Sequence, residues 1–496
     1  MDFAQNLVYG FSVAISPVNI FFCFLGALLG TLIGVLPGLG PAAAIALLLP
    51  VTFKIPATAS IIMLAGILYG AMYGGSTTSI LVNIPGESAS VVTCFDGYQM
   101  SKKGRAGPAL GIAAFGSFIA GTFSTIMIML LAPLLVRAAL KFGPPEFVGL
   151  MLLGLTMVAF LSEESLLVAL MMTLIGLLLG TIGIDPVVGN QRFTFGILSL
   201  MTGIEIIPLV MGIFGISEVL MNLEQTQEFE IFKGKIKGLL PTRTDWQDSA
   251  KPIARGTVIG FFLGIIPGVG AIIPTFISYA LEKRLSKHPD KFGTGVIEGV
   301  AGPESTNNSA SMGGFIPLLT LGLPTTGIMA MFLGALVIHG VQPGPLLVKQ
   351  HPDLFWGVIA SMYIGNFMLL ILNLPLIGIW VQFLRIPYWI LFPLIILFCL
   401  VGSYSVNGNY VDIILLMIFG GVGYLMRKAK FPGGPLILGF ILGPMIEEAL
   451  RQTLILSDGE FAIFFSRPIC LSLIVINLLL LLSTPIKELL LKRIMT

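Results

Sequence analysis

Charge is scarce in this sequence. Asp, Glu, Lys and Arg together make up 10% of 496 residues, against about 25% in an ordinary soluble domain. A water-covered globular surface is therefore excluded. The formal net charge is only +2, so no basic excess exists to neutralise a phosphate backbone, and nucleic acid is excluded as a partner. Histidine is rarer still: His288, His339 and His351 are the whole set, and none sits in an HExxH pattern. No GxSxG elbow, paired-aspartate motif or Walker-type phosphate loop occurs either. The chain cannot use ATP by itself, nothing in it reads as an enzyme, and no cofactor is implied. The four cysteines, Cys23, Cys94, Cys399 and Cys470, are scattered without a CxxC spacing. They read as packed thiols, not as a disulfide framework. The opening MDFAQNLVYGFSVAISP lacks a basic n-region, so no cleavable signal peptide is expected and the first helix should be retained.

What the chain has in abundance is apolar sequence. Hydrophobic residues make up 56% and the mean hydropathy is +0.97. Runs close to the roughly 20 residues that cross a bilayer recur from end to end. The expected fold is an all-α polytopic membrane protein with ten to twelve transmembrane spans. One long polar stretch, Leu223–Lys251, interrupts the pattern near the middle. It divides the chain into a first membrane repeat (1–222), a cytoplasmic polar linker (223–251, with Lys233, Lys235, Lys237 and Arg243) and a second membrane repeat (252–496).

The two halves resemble one another. GTLIGVLPGLG (30–40) aligns without gaps to GFFLGIIPGVG (260–270), sharing Gly30/Gly260, Gly34/Gly264, Pro37/Pro267, Gly38/Gly268 and Gly40/Gly270. A second anchor aligns Ala71–Pro85 with Ala310–Pro324, sharing Gly74/Gly313, Gly75/Gly314 and Pro85/Pro324. The offsets are 230 and 239. Basic residues then set the relative orientation, because cytoplasmic loops are enriched in Lys and Arg. Between the anchors the first half has only Lys54, whereas the second has Lys283, Arg284, Lys287 and Lys291. After the second anchor the bias reverses: Lys102, Lys103 and Arg105 in the first half, only Lys349 in the second. The repeats are therefore expected to be inverted, with broken helices or re-entrant hairpins. That is a secondary-transporter pattern, whose site lies at the repeat interface.

The polar stretches GGSTTSILVNIPGESAS (74–90) and GPESTNNSASMGGFIPLLTLGLPTTG (302–327) offer hydroxyls, amides and carbonyls within apolar surroundings. Unpaired backbone at that depth is tolerated only where protein buries it or a cavity is lined by it. Such oxygens suit a hard cation, and half-helix N-termini favour anions. Glu87 and Glu304, in PGES and GPES, are ionisable residues within membrane segments and thus functional candidates; helix capping is the structural alternative. Trp380, Tyr388 and Trp389 read as a membrane-interface belt. Glu163 and Glu164 read as an exposed turn, and Glu447 and Glu448 as the acidic end of a packed helix.

The strings GVLPGLGP, YGGSTTSILVNIPGE, GPESTNNSASMGGFIPLLTLGLPTT and HGVQPGPLL closely resemble the large permease subunit of the tripartite tricarboxylate transporters, the TctA family. The resemblance covers nearly the whole chain. It implies a multi-pass permease of the bacterial inner membrane that works with a small four-helix membrane subunit and a periplasmic substrate-binding protein. It also implies import of citrate-like tricarboxylates or related carboxylates, driven by an ion gradient. On this basis the substrate-binding candidates are Gly38, Gly40, Gly74, Gly75, Ser76, Thr77, Asn83, Pro85, Gly86, Gly322, Pro324, Thr325 and Thr326. The cation-binding candidates are Thr78, Glu87, Glu304, Ser305, Thr306, Asn307, Asn308 and Ser309, with Na⁺ as the candidate metal. None of these motifs contains Arg or Lys. A carboxylate substrate must then be compensated by half-helix N-termini, about half a charge each, and by a co-bound Na⁺ or H⁺. That favours symport with alternating access. An ion or solute channel, or a non-transporting membrane scaffold, is the alternative.

Overall fold

The computed structural model describes residues 3–36, 39–161, 165–185, 187–224, 236, 238–384 and 388–495. These residues are overwhelmingly helical. The only strands among them are Gly183–Ile184 and Gln191–Arg192, an antiparallel pair with Gly183 opposite Arg192. Eight described helices are long and apolar enough to cross a membrane: Pro17–Val35, Ala57–Val82, Ala106–Ala139, Ile206–Glu224, Pro352–Asn373, Ile390–Asn407, Tyr410–Lys428 and Gly433–Leu456. The protein is an all-α polytopic membrane protein. The expected ten to twelve spans would have to draw on shorter apolar helices such as Pro41–Thr52 and Gly327–Ile338. Each of these has 12 residues and rises only about 18 Å, short of a hydrocarbon core of about 30 Å.

Glycine sets the closest packing. In the first half, Gly26, Gly30 and Gly34 of Pro17–Val35 lie on the backbone of Met63, Ile67 and Ala71 of Ala57–Val82. In the second half, Gly256, Gly260 and Gly264 of Arg243–Gly264 lie on the backbone of Gly302, Thr306 and Ala310 of Glu298–Gly313. The glycines differ by 230 and their partners by 239, the two offsets of the sequence alignment. A Cβ at Gly30 would stand 2.4 Å from the Ile67 oxygen, and one at Gly260 would stand 2.3 Å from the Thr306 oxygen. Only glycine admits a backbone at that distance. The two helix pairs are packed in the same register.

The breaks fall elsewhere than the polar composition suggests. Gly74–Ser79 is not a joint: it lies inside the continuous Ala57–Val82 helix, all of it buried beyond the first residue. Gly74 lies on the Thr31 oxygen, so it serves close packing. That helix ends at Asn83, which takes the left-handed conformation (φ 61°). Glu304–Ser309 is likewise helical, within Glu298–Gly313, despite Pro303. The second-half breaks are the 265–271 turn, with Gly268 at φ 85° and Gly270 at φ 60°, and the 322–326 segment, with Gly322 at φ 72°.

The central polar stretch is only partly a linker. Residues 225–235 and 237, with Lys233, Lys235 and Lys237, lie outside the described residues. Arg243 already begins the Arg243–Gly264 helix, capped by Thr242 and Asp245. Arg105 pairs with Asp245 at 2.5 Å, and the Leu239 carbonyl packs against Gly111, fastening this segment to the Ala106–Ala139 helix. All four cysteines are free and buried. Trp380 corrects the interface-belt expectation: it is 3% exposed and its Nε1–H donates to the Leu372 carbonyl at 2.7 Å, so it is a packing residue. The side chains of Tyr388 and Trp389, and Glu163 and Glu164, lie outside the described set. Glu447 sits in the packed Gly433–Leu456 helix and pairs with Arg192 and Arg451.

Candidate functional site

The two polar stretches meet at the seam between the halves. Glu304, on Glu298–Gly313, is completely buried. Its Oε2 accepts a hydrogen bond from the Ser76 hydroxyl at 2.5 Å, and its Oε1 accepts one from the Thr93 hydroxyl. Both donors belong to the first half. Glu87 does the converse. It caps the short Ser88–Ser90 turn, where Oε2 accepts the Ala89 N–H at 2.6 Å, and its Oε1 accepts from Asn307 Nδ2 of the second half at 2.8 Å. Each half therefore places one carboxylate on neutral donors of the other. The ion pairs among the described residues lie elsewhere, at Arg105–Asp245, Arg192–Asp185, Arg255–Glu282, Arg427–Glu218, Lys428–Glu224 and Arg467–Glu146, and around Glu447 and Arg451. Hydroxyl and amide donors alone hold Glu87 and Glu304.

The amide oxygens beside them are unspent. Asn308 Nδ2 donates to Ser117 Oγ at 2.6 Å and Asn307 Nδ2 to Glu87, yet Oδ1 of both asparagines is buried without a hydrogen-bond partner. Such oxygens are costly to leave unpaired, about 1–3 kcal/mol each, and they are hard ligands for a cation.

The remaining candidates divide between this centre and the helix seams. Thr78 donates to the Val35 carbonyl at 2.9 Å, and Thr306 lies in reach of the Gly256 and Gly302 carbonyls at 3.0 and 2.9 Å. Ser309 donates to the Thr257 carbonyl at 2.7 Å, and Ser305 to Ala301 at 2.8 Å. These hydroxyls stitch helices or their own turns. Gly75 and Gly86 meet beside Gly34, where a Cβ on Gly86 would lie 2.3 Å from the Gly75 Cα. Pro85 flanks that contact half-buried, and Asn83 is exposed. Gly40 caps Pro41–Thr52 in extended conformation; Gly38 lies outside the described residues. In the second half the Thr325 carbonyl accepts the Gly268 N–H at 2.7 Å, joining the two breaks. Thr326 caps Gly327–Ile338 through Met329 N–H at 3.2 Å. Gly322 and Pro324 are buried. Gly322 also borders a cavity of about 460 Å³ with Gln342, Pro343, Glu448 and Gln452 in its wall, within the range of small-molecule sites. No basic side chain lines it.

Sequence reasoning missed several residues of this region. Thr93 completes the Glu304 site. Asp96, three residues on, is fully buried and accepts from the N–H groups of Gly293, Gly295 and Val296 at 3.0, 2.7 and 2.9 Å and from the Tyr279 hydroxyl at 2.8 Å. It locks the Val91–Lys102 helix to the start of Glu298–Gly313. An acid in the run VVTCFDGYQ was a readable signal. So was the pair Asn366 and Asn373, two amides seven residues apart on one face of an apolar helix. Asn366 accepts from Tyr73 at 2.8 Å and donates to the Phe118 carbonyl at 2.8 Å.

A polytopic helical bundle that gathers buried carboxylates and unpaired amide oxygens between two like-packed halves belongs to the class of membrane transport proteins. Residues 20–438 match the family described as Tripartite tricarboxylate transporter TctA family, and the chain belongs to it. Two relatives from Agrobacterium vitis are similar. One, described as an uncharacterized 52.8 kDa protein in the TAR-I ttuC' 3' region, is 49% identical over 478 residues, covering 96% of this chain and 95% of the relative. The other, an uncharacterized protein in the TAR-II ttuC' 3' region, is 50% identical over 219 residues, 44% of this chain and 90% of the relative. No solved structure matches the chain.

Proposed function

We propose that the chain is the large membrane subunit of a binding-protein-dependent secondary transporter that imports tricarboxylates or related carboxylates by cation symport. In this reading it sits in the bacterial inner membrane with a small four-helix membrane subunit and a periplasmic substrate-binding protein. The observation that carries the reading is the reciprocal exchange at the seam. Glu304 of the second half rests on Ser76 and Thr93 of the first, and Glu87 of the first rests on Asn307 of the second. A transporter's site belongs at such a repeat interface. A carboxylate substrate arriving there meets two acids and no base, and like charges in a low-dielectric site repel strongly. A co-bound Na⁺, or a proton on Glu304, relieves that repulsion and makes transport depend on the cation.

The inverted arrangement has support from the ends of the bundle. Arg105–Asp245 and Asp96–Gly295 gather the 103–105 and 293–296 segments at one end. Thr58 donates to Asp353 at 2.9 Å, tying the Lys54 loop to the start of Pro352–Asn373. The far end of that 22-residue helix, about 33 Å away, reaches Leu110 and Ala114 near the start of Ala106–Ala139. This supports a reading in which the Lys54 loop and the 283–291 loop lie at opposite ends of the bundle. The test is carboxylate uptake into proteoliposomes holding the chain, its small subunit and the binding protein, under an imposed Na⁺ or proton gradient. Uptake should follow one of the two gradients and fall in Glu304→Gln. Uptake that follows neither gradient would overturn the symport reading.

A further inference from the structure

A second cavity, far smaller, lies between the Ala57–Val82, Ala106–Ala139 and Pro352–Asn373 helices. Its volume is about 10 Å³, room for a single water-sized occupant and none for a carboxylate substrate. A buried void of this size is dry when its walls are apolar and takes a single guest when polar groups line it. This one is walled by Tyr73, Ser76, Thr77, Ser117 and Asn373, with Leu110, Ala113 and Ala114 closing it. Asn373 is 4% exposed. Its Nδ2 donates to the Leu369 carbonyl at 3.0 Å, while its Oδ1 has no partner. Ser117 Oγ receives the Asn308 amide, whose own Oδ1 is also unpartnered. Ser76 touches the Glu304 carboxylate directly.

We propose that this cavity is a binding site for one Na⁺, with neutral oxygen ligands from Ser76, Thr77, Ser117 and Asn373 and with Glu304 supplying negative charge one hydrogen bond behind them. The inference deepens the symport reading and rests on it. A hard monovalent cation fits the donor set, because hydroxyl and amide oxygens coordinate such ions without demanding a direct carboxylate, whereas Mg²⁺ and Ca²⁺ sites draw on carboxylate ligands. A proton would sit on Glu304 itself and make no use of Asn373 or Ser117. A water molecule would satisfy the Asn373 oxygen but gain nothing from the carboxylate. Because Ser76 belongs both to this wall and to the Glu304 hydrogen bond, ion occupancy and the cross-half contact are coupled at one hydroxyl.

The test is ²²Na⁺ binding to the purified full-length chain in detergent, with K⁺ and choline as competitors, alongside the gradient-driven uptake described above. Wild type should bind Na⁺ saturably and be competed poorly by K⁺. Asn373→Ala and Ser117→Ala should each raise the Na⁺ Kd at least tenfold, and Ser117→Ala, the smaller change, carries the expectation should Asn373→Ala not fold. Na⁺ affinity within twofold of wild type in folded Asn373→Ala or Ser117→Ala, with Asn307→Ala abolishing it, would overturn this site and leave Na⁺ symport standing. Wild type that binds no Na⁺ while a proton gradient drives uptake would also overturn it and leave proton symport standing. If uptake follows neither gradient, the symport reading fails as well.

Discussion

Ser76 and Glu304, 228 residues apart in sequence, are joined by a hydrogen bond of 2.5 Å in a fully buried site. The bond spans the two halves of the chain, so any rocking of one half against the other must stretch or exchange it. Thr93 supplies the second donor to the same carboxylate. Removing a donor from a buried acceptor costs about 1–3 kcal/mol. Thr93→Val keeps the shape and deletes the hydroxyl, so uptake should fall about tenfold or more, at roughly 1.4 kcal/mol per decade. Thr93→Ser should restore most of it. Initial uptake rates in proteoliposomes, normalised to folded protein, make the comparison. Equal rates for wild type and Thr93→Val would remove the Thr93 contact from the transport cycle.

Asp185 anchors the Gly183–Arg192 hairpin outside the membrane-spanning segments. Its carboxylate accepts the N–H groups of Val187 and Val188 at 2.8 and 3.1 Å and pairs with Arg192 and with Arg451 at 2.6 Å. The Val187 N–H foremost, with the other donors, holds its carboxyl well below the usual carboxylate range. A lowered folded value means that the contribution is fully present above the ordinary aspartate value of about 4. It is lost only as pH falls through the depressed folded value. Asp185→Asn should therefore destabilise by the same amount from about pH 5 to pH 8. Thermal unfolding of both proteins across that range measures it. A deficit that does not shrink when the measurement is taken below about pH 4 would mean that Asp185 titrates normally and that its donors do not hold it.

Much of this architecture is legible in the amino-acid sequence, for physical reasons that differ by feature. The Gly30/Gly260 and Gly34/Gly264 matches can be read because close backbone contact tolerates no other residue, so the packing register is written in the glycines themselves. Composition locates the polar stretches but misjudges their form. Gly74 and Gly75 have the character of helix breakers and instead lie in a buried helix, because packing against Thr31 and Gly86 stabilises a helix that propensity alone would fray. The reciprocal contacts of Glu87 and Glu304 are out of reach, since pairing between residues more than two hundred positions apart depends on how the halves dock. Ser117 is invisible for a related reason: it is one polar side chain on an apolar helix until three helices close around it.

The glycine seams make a matched pair of predictions. Gly30→Ala and Gly260→Ala would drive a methyl group to 2.4 and 2.3 Å from the Ile67 and Thr306 oxygens, so the helices must part. Each should destabilise by about 1–3 kcal/mol, the usual cost of overpacking. Gly421→Ala is the control. It lies within the Tyr410–Lys428 helix with no atom within 4 Å of the new Cβ, and should be neutral or stabilising by up to about 1 kcal/mol from helix propensity. Thermal unfolding in detergent separates the three, and a Gly260→Ala protein as stable as Gly421→Ala would contradict the seam.

The last prediction concerns topology. Lys54 and Lys287 lie in loops that the sequence alignment makes equivalent, and both are exposed. Lys287 lies shortly before the 293–296 segment that Asp96 holds beside the Val91–Lys102 helix, just beyond whose end Arg105 pairs with Asp245, whereas the Lys54 loop is tied through Thr58 to Asp353 at the start of Pro352–Asn373. Cytoplasmic loops concentrate Lys and Arg, so Lys287 should face the cytoplasm and Lys54 the periplasm. The native cysteines are all buried, and replacing them removes any background reaction. In that background Lys54→Cys should react with a membrane-impermeant maleimide added to intact cells whose outer membrane is permeabilised, and Lys287→Cys should react only after the inner membrane is opened. Labelling of both from the periplasm would show the halves to be parallel. A parallel pair would leave the Gly30 and Gly260 seams without a two-fold relation in the membrane plane, and the inverted-repeat basis for alternating access would be lost.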